Sequence, residues 1–199
     1  MKYPSTINNL IECFKKLPGI GEKTAERLAF YVIGMDEENT SFFADSIKLA
    51  KEKIKKCSIC NGITDKDVCD ICSNNSRNKN VLCVVEDPKS IFLFEKIGVF
   101  SGEYHVIDGL ISPLDGVDPD DIGLEKLVDR IHKGKYNEVI IAVKPSVEGE
   151  TTALYIKKII EGMNIKVTRI ASGIPIGTDI EFIDSMTLER ALNDRKEIE

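Results

Sequence analysis

The sequence has little of what hydrolytic enzymes and membrane proteins require. It contains two histidines, His105 and His132, and neither belongs to a Ser-His-Asp or Cys-His grouping. We interpret His105 as a structural residue in a strand. No apolar run approaches the roughly 20 residues of a membrane span, and no apolar stretch with a small-residue cleavage site follows the first residues. We therefore expect a cytoplasmic protein without a membrane partner.

An excess of positive charge is also absent. The net charge is −6, which argues against nucleic-acid binding driven by the overall charge of the chain. The charge is unevenly distributed, because residues 1–56 carry ten Lys or Arg and eight Asp or Glu, whereas residues 81–199 carry 14 and 22. Any DNA contact is therefore expected in residues 1–56. The basic run at 48–56 is interpreted as a solvated helix face.

A nucleotide-binding Walker A loop is missing from the glycine-rich stretch "LPGIGEKTAERLA" at 17–29. Such a loop needs adjacent Gly and Lys after a strand, but Glu22 separates Gly21 from Lys23. Apolar residues precede the glycines at steps of three and four, which is typical of an amphipathic helix. They are Ile7, Leu10, Ile11, Phe14 and Leu17. The sequence therefore predicts a helix, a tight turn and a second helix.

This turn resembles the hairpin of a helix-hairpin-helix module, a DNA-binding unit that does not read base sequence. Gly19 and Gly21 would let the backbone approach a phosphate oxygen, and the following helix begins with free N–H groups. Lys23 and Arg27 are four residues apart and would add two phosphate contacts from one helix face. Binding should be non-specific and salt-sensitive. The alternative interpretation is a purely structural hairpin.

The six cysteines include two Cys-x-x-Cys pairs, Cys57 with Cys60 and Cys69 with Cys72. Four thiolates with this spacing can close a tetrahedral site around Zn²⁺ and leave no open position for water. We therefore predict one structural zinc ion per chain. A redox pair or a chance arrangement would explain only one of the two pairs. The remaining Cys13 and Cys83 lie on apolar faces and are interpreted as small core residues rather than ligands or nucleophiles.

The periodicity divides the chain into four predicted parts. Residues 1–56 form a helical module, 57–72 a four-cysteine zinc finger, 80–175 an α/β domain, and 176–199 a C-terminal segment with a helix. In the α/β part, short apolar β-branched runs alternate with helical stretches, which predicts a mainly parallel sheet covered on both faces. The polar tract at 73–80 is predicted to be a loop.

Acidic residues follow two strands of the α/β part. Glu86 ends the first strand, and Glu148 and Glu150 follow the strand "EVIIAV". This resembles the Toprim domain, in which a glutamate and an Asp-x-Asp pair hold Mg²⁺ for phosphoryl chemistry. Lys144 and Ser146 stand where the two aspartates belong.

An ammonium group beside the cation would repel it, so catalysis by the Toprim route is not expected here. Three interpretations of Glu86, Glu148 and Glu150 are open: a residual metal site, a partner contact, or polar ends of a strand and a helix. For Glu150, a carboxylate stabilised by the dipole of a helix N-terminus is the plainest account.

Taken in order, these motifs resemble the RecR family of bacterial recombination mediators nearly from end to end. Further stretches that carry the resemblance are "EYHVIDGLISPLDGVDPDDIGLEKL", "PSVEGETTALYI" and "RIASGIPIGTDIEFIDSMTLERAL". The resemblance implies a non-enzymatic DNA-repair factor that acts with RecO and RecF to load recombinase on single-stranded DNA. It also implies a ring-shaped homotetramer, a nucleoid-associated location, DNA contacts at Lys23 and Arg27, and a Walker B-like element at 174–184.

A ring would reconcile the acidic chain with DNA binding, because several weak contacts act together through effective concentration. Two rival functions remain. One is a metal-dependent Toprim nuclease or primase-like enzyme that uses the three glutamates. The other is an adaptor that binds other proteins and never contacts DNA.

Overall fold

A computed structural model describes residues 3–171, 173–195 and 197 of the chain. The chain divides into two compact units, residues 1–54 and residues 55–199. The division falls close to the predicted end of the helical module at residue 56. The predicted four-cysteine segment at 57–72, called the finger segment below, belongs to the second unit.

The first unit contains three helices. They are α1 (Ser5–Lys15), α2 (Glu22–Ile33) and α3 (Glu37–Lys53). The predicted apolar stripe of α1 packs on α2, around the buried side chains of Ile11, Ala25 and Ala29. Asp36 caps α3 by accepting a 2.8 Å hydrogen bond from the backbone N–H of Asn39. No residue of α3 is buried, so its apolar side chains face outward in this unit.

The second unit begins with the finger segment, which consists of a two-stranded antiparallel ribbon and one short helix. These elements are β1 (Lys55–Lys56), β2 (Ile63–Thr64) and α4 (Asp70–Ser73). A four-stranded sheet follows in the order β4-β3-β5-β6, and all of its strand pairs are parallel. Its strands are β3 (Asn78–Val85), β4 (Gly102–Val106), β5 (Glu138–Ala142) and β6 (Lys166–Arg169).

Helices and short 3₁₀ turns connect the strands of this sheet and end the chain. They are α5 (Pro88–Ile97), a turn at Pro113–Asp115, α6 (Leu124–Lys133), α7 (Val147–Ile159), a turn at Ile180–Phe182, and α8 (Ser185–Asn193). The predicted C-terminal helix is therefore present, although residues 196, 198 and 199 lie outside the described part. Within the described residues, no helix has the length and apolar character needed to cross a membrane.

Both faces of the sheet are covered, as predicted for a parallel sheet. Leu82 and Val84 of β3 pack on one face with side chains of α6 and α7. Cys83 and Val85 point to the other face and pack with Ile91 of α5. The interpretation as a core residue is confirmed for Cys83, whereas it was wrong for Cys13, whose side chain is exposed on α1. This alternation follows from the period of two in a strand, and it explains why the second half of β3 is apolar at every position.

The polar tract at 73–80 is only partly a loop. Strand β3 already begins at Asn78, whose N–H donates to the carbonyl of Ser101 at 2.9 Å. The pairing with β4 is irregular between Asn78 and Leu82. Polar side chains exposed at a strand end carry no apolar signal, so the sequence pattern missed these residues.

Candidate metal centre and candidate nucleic-acid interface

The four cysteines of the finger segment converge on one point. The Sγ atoms of Cys57, Cys60, Cys69 and Cys72 all lie within 4.8 Å of one another. The Sγ atoms of Cys60 and Cys69 are 3.6 Å apart. Tetrahedral zinc with four sulfur ligands separates them by about 3.8 Å, so this spacing fits the ion.

Backbone N–H groups donate to three of the four sulfur atoms. Gly62 donates to Cys60 Sγ at 3.4 Å, and Cys69 donates to Cys57 Sγ at 3.3 Å. Cys69 Sγ in turn caps α4 by accepting from the N–H of Cys72 at 3.4 Å. These bonds hold each knuckle in a fixed shape around the ligand atoms.

The ionisation of these thiols indicates why a cation is needed. The hydrogen bond from Cys72 lowers the pKa of Cys60 to about 5. Burial raises the pKa of Cys69 to about 11, and the hydrogen bond to Cys60 together with burial raises the pKa of Cys72. Four negative sulfurs cannot share this volume without a compensating ion, because like charges at such distances repel strongly. Zn²⁺ would supply that compensation, so the residues fit one structural zinc ion per chain.

The turn between α1 and α2 has the backbone geometry predicted for a phosphate contact. Gly19 adopts a φ of +79°, a left-handed conformation that favours glycine. Gly21 is extended and precedes the first turn of α2, and no side chain caps that helix end. A Cβ added at either glycine would meet no atom within 4 Å, so the surface above them is open.

Lys23 and Arg27 lie on the exposed surface of α2. Neither forms an ion pair with any other residue in the described part of the chain. Both predicted cations therefore lie on the helix whose N-terminus is open. Neither charge is neutralised by an acidic side chain among the described residues.

The carboxylates of Glu86, Glu148 and Glu150 do not converge on one point. Among the residues described, the cysteines are the only group of three or more metal-ligating side chains close enough to share an ion. Glu86 accepts a 3.2 Å hydrogen bond from the backbone N–H of Lys144. Glu148 accepts a 2.6 Å hydrogen bond from Ser146 Oγ, which lowers the pKa of its carboxyl.

Glu150 has partners that the sequence pattern did not indicate. Its carboxylate lies 2.7 Å from Arg169 of β6 and 3.5 Å from Arg190 of α8. Arg169 also lies 3.6 Å from Asp194. Glu150 lies in the first turn of α7, where the expected interaction with the helix dipole is compatible with its position, and the two arginines add direct ion pairs. The network joins the C-terminal helix to the sheet.

A curated relative resembles the chain over almost its whole length. It is "Recombination protein RecR" of Natranaerobius thermophilus, which is 46% identical over 196 residues, or 98% of each chain. The chain belongs to the RecR family. Four family models also match, and together they follow the order of the elements described above. They are the RecR helix-hairpin-helix at 7–51, the RecR four-cysteine zinc finger domain at 54–74, a Toprim domain at 80–171 and the RecR C-terminal region at 173–196.

His105 of this RecR-family chain is a buried structural residue, 2% exposed. Burial, assisted by the charge of Arg130, lowers the pKa of His105 to about 3. The ring is therefore neutral at physiological pH. Its Nδ1 lies 3.4 Å from Arg130 Nη1, whereas Nε2 has no hydrogen-bond partner among the described residues.

Sequence reasoning missed three side chains that donate hydrogen bonds to backbone carbonyls of β4, namely Asn61, Arg77 and Arg130. Asn61 has a φ of 60°, and its amide donates to the carbonyl of Val106 at 2.9 Å. The dipeptide Asn61-Gly62 is a turn signal that could have marked the first of them. The two arginines have no local signal, because their partners are distant in sequence.

Proposed function

We propose that this RecR-family chain mediates recombination and DNA repair by binding DNA phosphates through the N-terminal turn of α2. The observation that carries the proposal is the open helix N-terminus at Gly19 and Gly21, on the same helix as the exposed cations Lys23 and Arg27. Backbone N–H groups and the positive end of the helix dipole attract a phosphate oxygen. The two side chains add charge without reading bases.

A double charge reversal, Lys23→Glu/Arg27→Glu, tests this assignment. We expect fluorescence anisotropy to show an affinity for DNA at least about tenfold weaker than wild type at moderate salt. The slope of log affinity against log salt should fall by about two for each contacting subunit. Wild-type binding should be insensitive to base sequence.

Lys48→Glu/Lys51→Glu is the matched control, because it changes the net charge equally on α3, in the same unit. Its affinity should remain close to that of wild type. Equal binding by wild type and the Lys23/Arg27 variant would contradict the assignment and favour the adaptor hypothesis. Mg²⁺-dependent DNA cleavage by wild type that disappears in Glu86→Gln would favour the nuclease hypothesis.

We infer that the Toprim domain of this chain does not catalyse phosphoryl transfer. Lys144 occupies the position of an aspartate in the Toprim pattern, and the three glutamates have hydrogen-bond or ion-pair partners of their own. A magnesium site needs several anionic oxygens on one ion. Of the three interpretations of Glu86, Glu148 and Glu150, we propose contact with a partner protein.

The functional modules that we propose are 1–56 for DNA, 57–72 for zinc, 80–175 for partner binding and 176–199 for assembly. The C-terminal segment supports an assembly role, because large apolar side chains are exposed along it. They are Ile176, Ile180, Phe182, Met186 and Leu192. We propose a ring-shaped homotetramer that encloses DNA in the cytoplasm, at the nucleoid. Partners of the RecO and RecF type would then help it to load recombinase on single-stranded DNA.

A further inference from the structure

A cleft of about 450 Å³ lies between the finger segment and α6, and residues of the second unit alone line it. Its volume is in the range of pockets that hold small organic ligands. The wall contains five charged side chains and one histidine, which belong to β1, β4 and α6. They are Lys56, His105, Lys126, Asp129, Arg130 and Lys133.

Positive charge concentrates in this cleft, although residues 81–199 carry 14 Lys or Arg and 22 Asp or Glu. Four cationic side chains and one carboxylate line it. Three of the cations, Lys126, Arg130 and Lys133, follow one another at steps of four and three, which places them on one face of α6. The cleft is therefore a local cationic site in the acidic part of the chain.

Lys126 is the cation of this cleft that has no acidic partner. Its side chain is exposed and forms no ion pair with any residue that the structure describes. Arg130, one turn further along α6, is instead 10% exposed and lies 2.9 Å from Glu103. The charge of Arg130 is thus compensated within the fold, whereas that of Lys126 is available to a ligand.

The two remaining lysines of the cleft face carboxylates at its rim. Lys133 lies 3.8 Å from Asp129 and offsets the single negative charge in the wall. Lys56 forms an ion pair with Asp108. Exposed ion pairs of this kind are weak in water, so either ammonium group can turn towards a bound anion at little cost.

His105 adds a buried donor to the wall of the cleft. Its Nδ1 lies 3.4 Å from Arg130 Nη1, and a guanidinium has no acceptor, so Nδ1 accepts and Nε2 carries the hydrogen. His105 is 2% exposed, and its Nε2 is the sole buried side-chain nitrogen or oxygen without a hydrogen-bond partner in the described part of the chain. Buried donors normally have an acceptor, so this one indicates an acceptor supplied by a ligand.

Lys126 lies close to this histidine ring. Burial and the charge of Arg130 lower the pKa of His105, and the charge of Lys126 adds to the effect. An anion in the cleft can therefore contact the ammonium group and the imidazole N–H together.

We propose that this cleft binds a phosphate group, with Lys126 as its main cation and His105 Nε2 as its buried donor. A phosphate monoester carries up to about two negative charges near pH 7 and three free acceptor oxygens, so donors from separate elements can each bind one oxygen. A carboxylate offers one charge and two oxygens and would leave more of the positive charge uncompensated. The cleft has room for a nucleotide as well as for inorganic phosphate.

Isothermal titration calorimetry of the zinc-loaded full chain tests the proposal, with inorganic phosphate and dAMP as probes and acetate as the carboxylate control at one ionic strength. We expect both phosphate probes to bind, and acetate to bind at least about tenfold more weakly. Tighter binding of dAMP than of phosphate would support a nucleotide as the source of the group. Equal affinities would support free phosphate.

Lys126→Gln should weaken the binding of both phosphate probes at least about tenfold, because it removes a charge-assisted hydrogen bond. Lys135→Gln is the matched control, since Lys135 is exposed just after α6 and does not line the cleft. Its affinity should equal that of wild type. Lys23→Glu/Arg27→Glu should also bind the probes like wild type, which separates this cleft from the DNA contact proposed on α2.

Two variants of His105 test the buried donor. His105→Phe removes the N–H and should weaken phosphate binding by about tenfold, whereas His105→Gln supplies an amide N–H and should lose less. The melting temperature of each ligand-free variant shows whether it folds. If either variant does not fold, the comparison of Lys126→Gln with Lys135→Gln decides.

Three results would overturn the proposal. One is the absence of binding by phosphate and dAMP at concentrations up to about 10 mM. Another is acetate binding as tight as that of phosphate. The third is equal affinity of Lys126→Gln and Lys135→Gln for the phosphate probes.

Discussion

At the scale of single residues, Gly149 shows how close packing fixes the loop that precedes α7. A Cβ at this position would lie 2.0 Å from the carbonyl oxygen of Lys144, far inside van der Waals contact. Ser146 caps the same helix by accepting a hydrogen bond from Gly149 N–H at 3.2 Å. The path of the loop before α7 therefore depends on the absence of a side chain at Gly149.

Gly149→Ala should destabilise the protein by about 3 kcal/mol, because the backbone must move to relieve the overlap. Chemical denaturation monitored by circular dichroism would measure this free energy of unfolding. Gly173→Ala is the matched control, since a Cβ there meets nothing within 4 Å, and its effect should stay below about 1 kcal/mol. Equal stability of the two variants would contradict the close approach.

At the scale of elements, the ion pair between Arg77 and Glu95 joins the residue before β3 to α5. Burial works to raise the pKa of Glu95, but hydrogen bonds from Arg77 and Tyr104 and the charge of Arg77 outweigh it, so the pKa lies below its usual range. A carboxyl whose pKa is lowered by folding stabilises the native state above its unfolded pKa of about 4.3. That stability is lost as the pH falls through the folded pKa.

Glu95→Gln should therefore be less stable than wild type at pH 7, because it leaves the buried guanidinium of Arg77 unpaired. The difference in melting temperature should shrink as the pH falls from about 5 towards 3, since wild type then loses its own carboxylate. Thermal unfolding at a series of pH values measures this difference. A pH-independent difference would contradict the proposed ionic contribution.

Several helices and strands could be predicted from local sequence patterns. The helices α1 and α2 follow from apolar residues at steps of three and four, and the strands from short β-branched runs. The start of β3 at Asn78 was missed, because a polar strand end is stabilised by backbone hydrogen bonds rather than by its side chains. Of the candidate sites, the zinc ligands were predictable in full, because their spacing alone specifies the geometry.

At the scale of the whole molecule, we propose that DNA binding by this acidic chain requires assembly. One subunit presents two exposed cations on α2, whereas the proposed ring would present several sets around one duplex. We expect native mass spectrometry to detect a tetramer that retains its mass when it binds DNA. Dilution to monomers should weaken binding by roughly a hundredfold or more, as effective concentration is lost. A stable monomer that binds DNA tightly would contradict this proposal.

The helical hairpin, the four-cysteine centre and the parallel α/β class could all be derived from the order of the amino acids, because each depends on residue types at short, fixed spacings. Two other features emerged only once the chain was folded. Glu150 forms ion pairs with Arg169 and Arg190. The side chains of Asn61, Arg77 and Arg130 donate hydrogen bonds to backbone carbonyls of β4, the strand at one edge of the sheet. These contacts join residues far apart in the chain. No local pattern encodes them, since they depend on which strands become neighbours and where the finger packs.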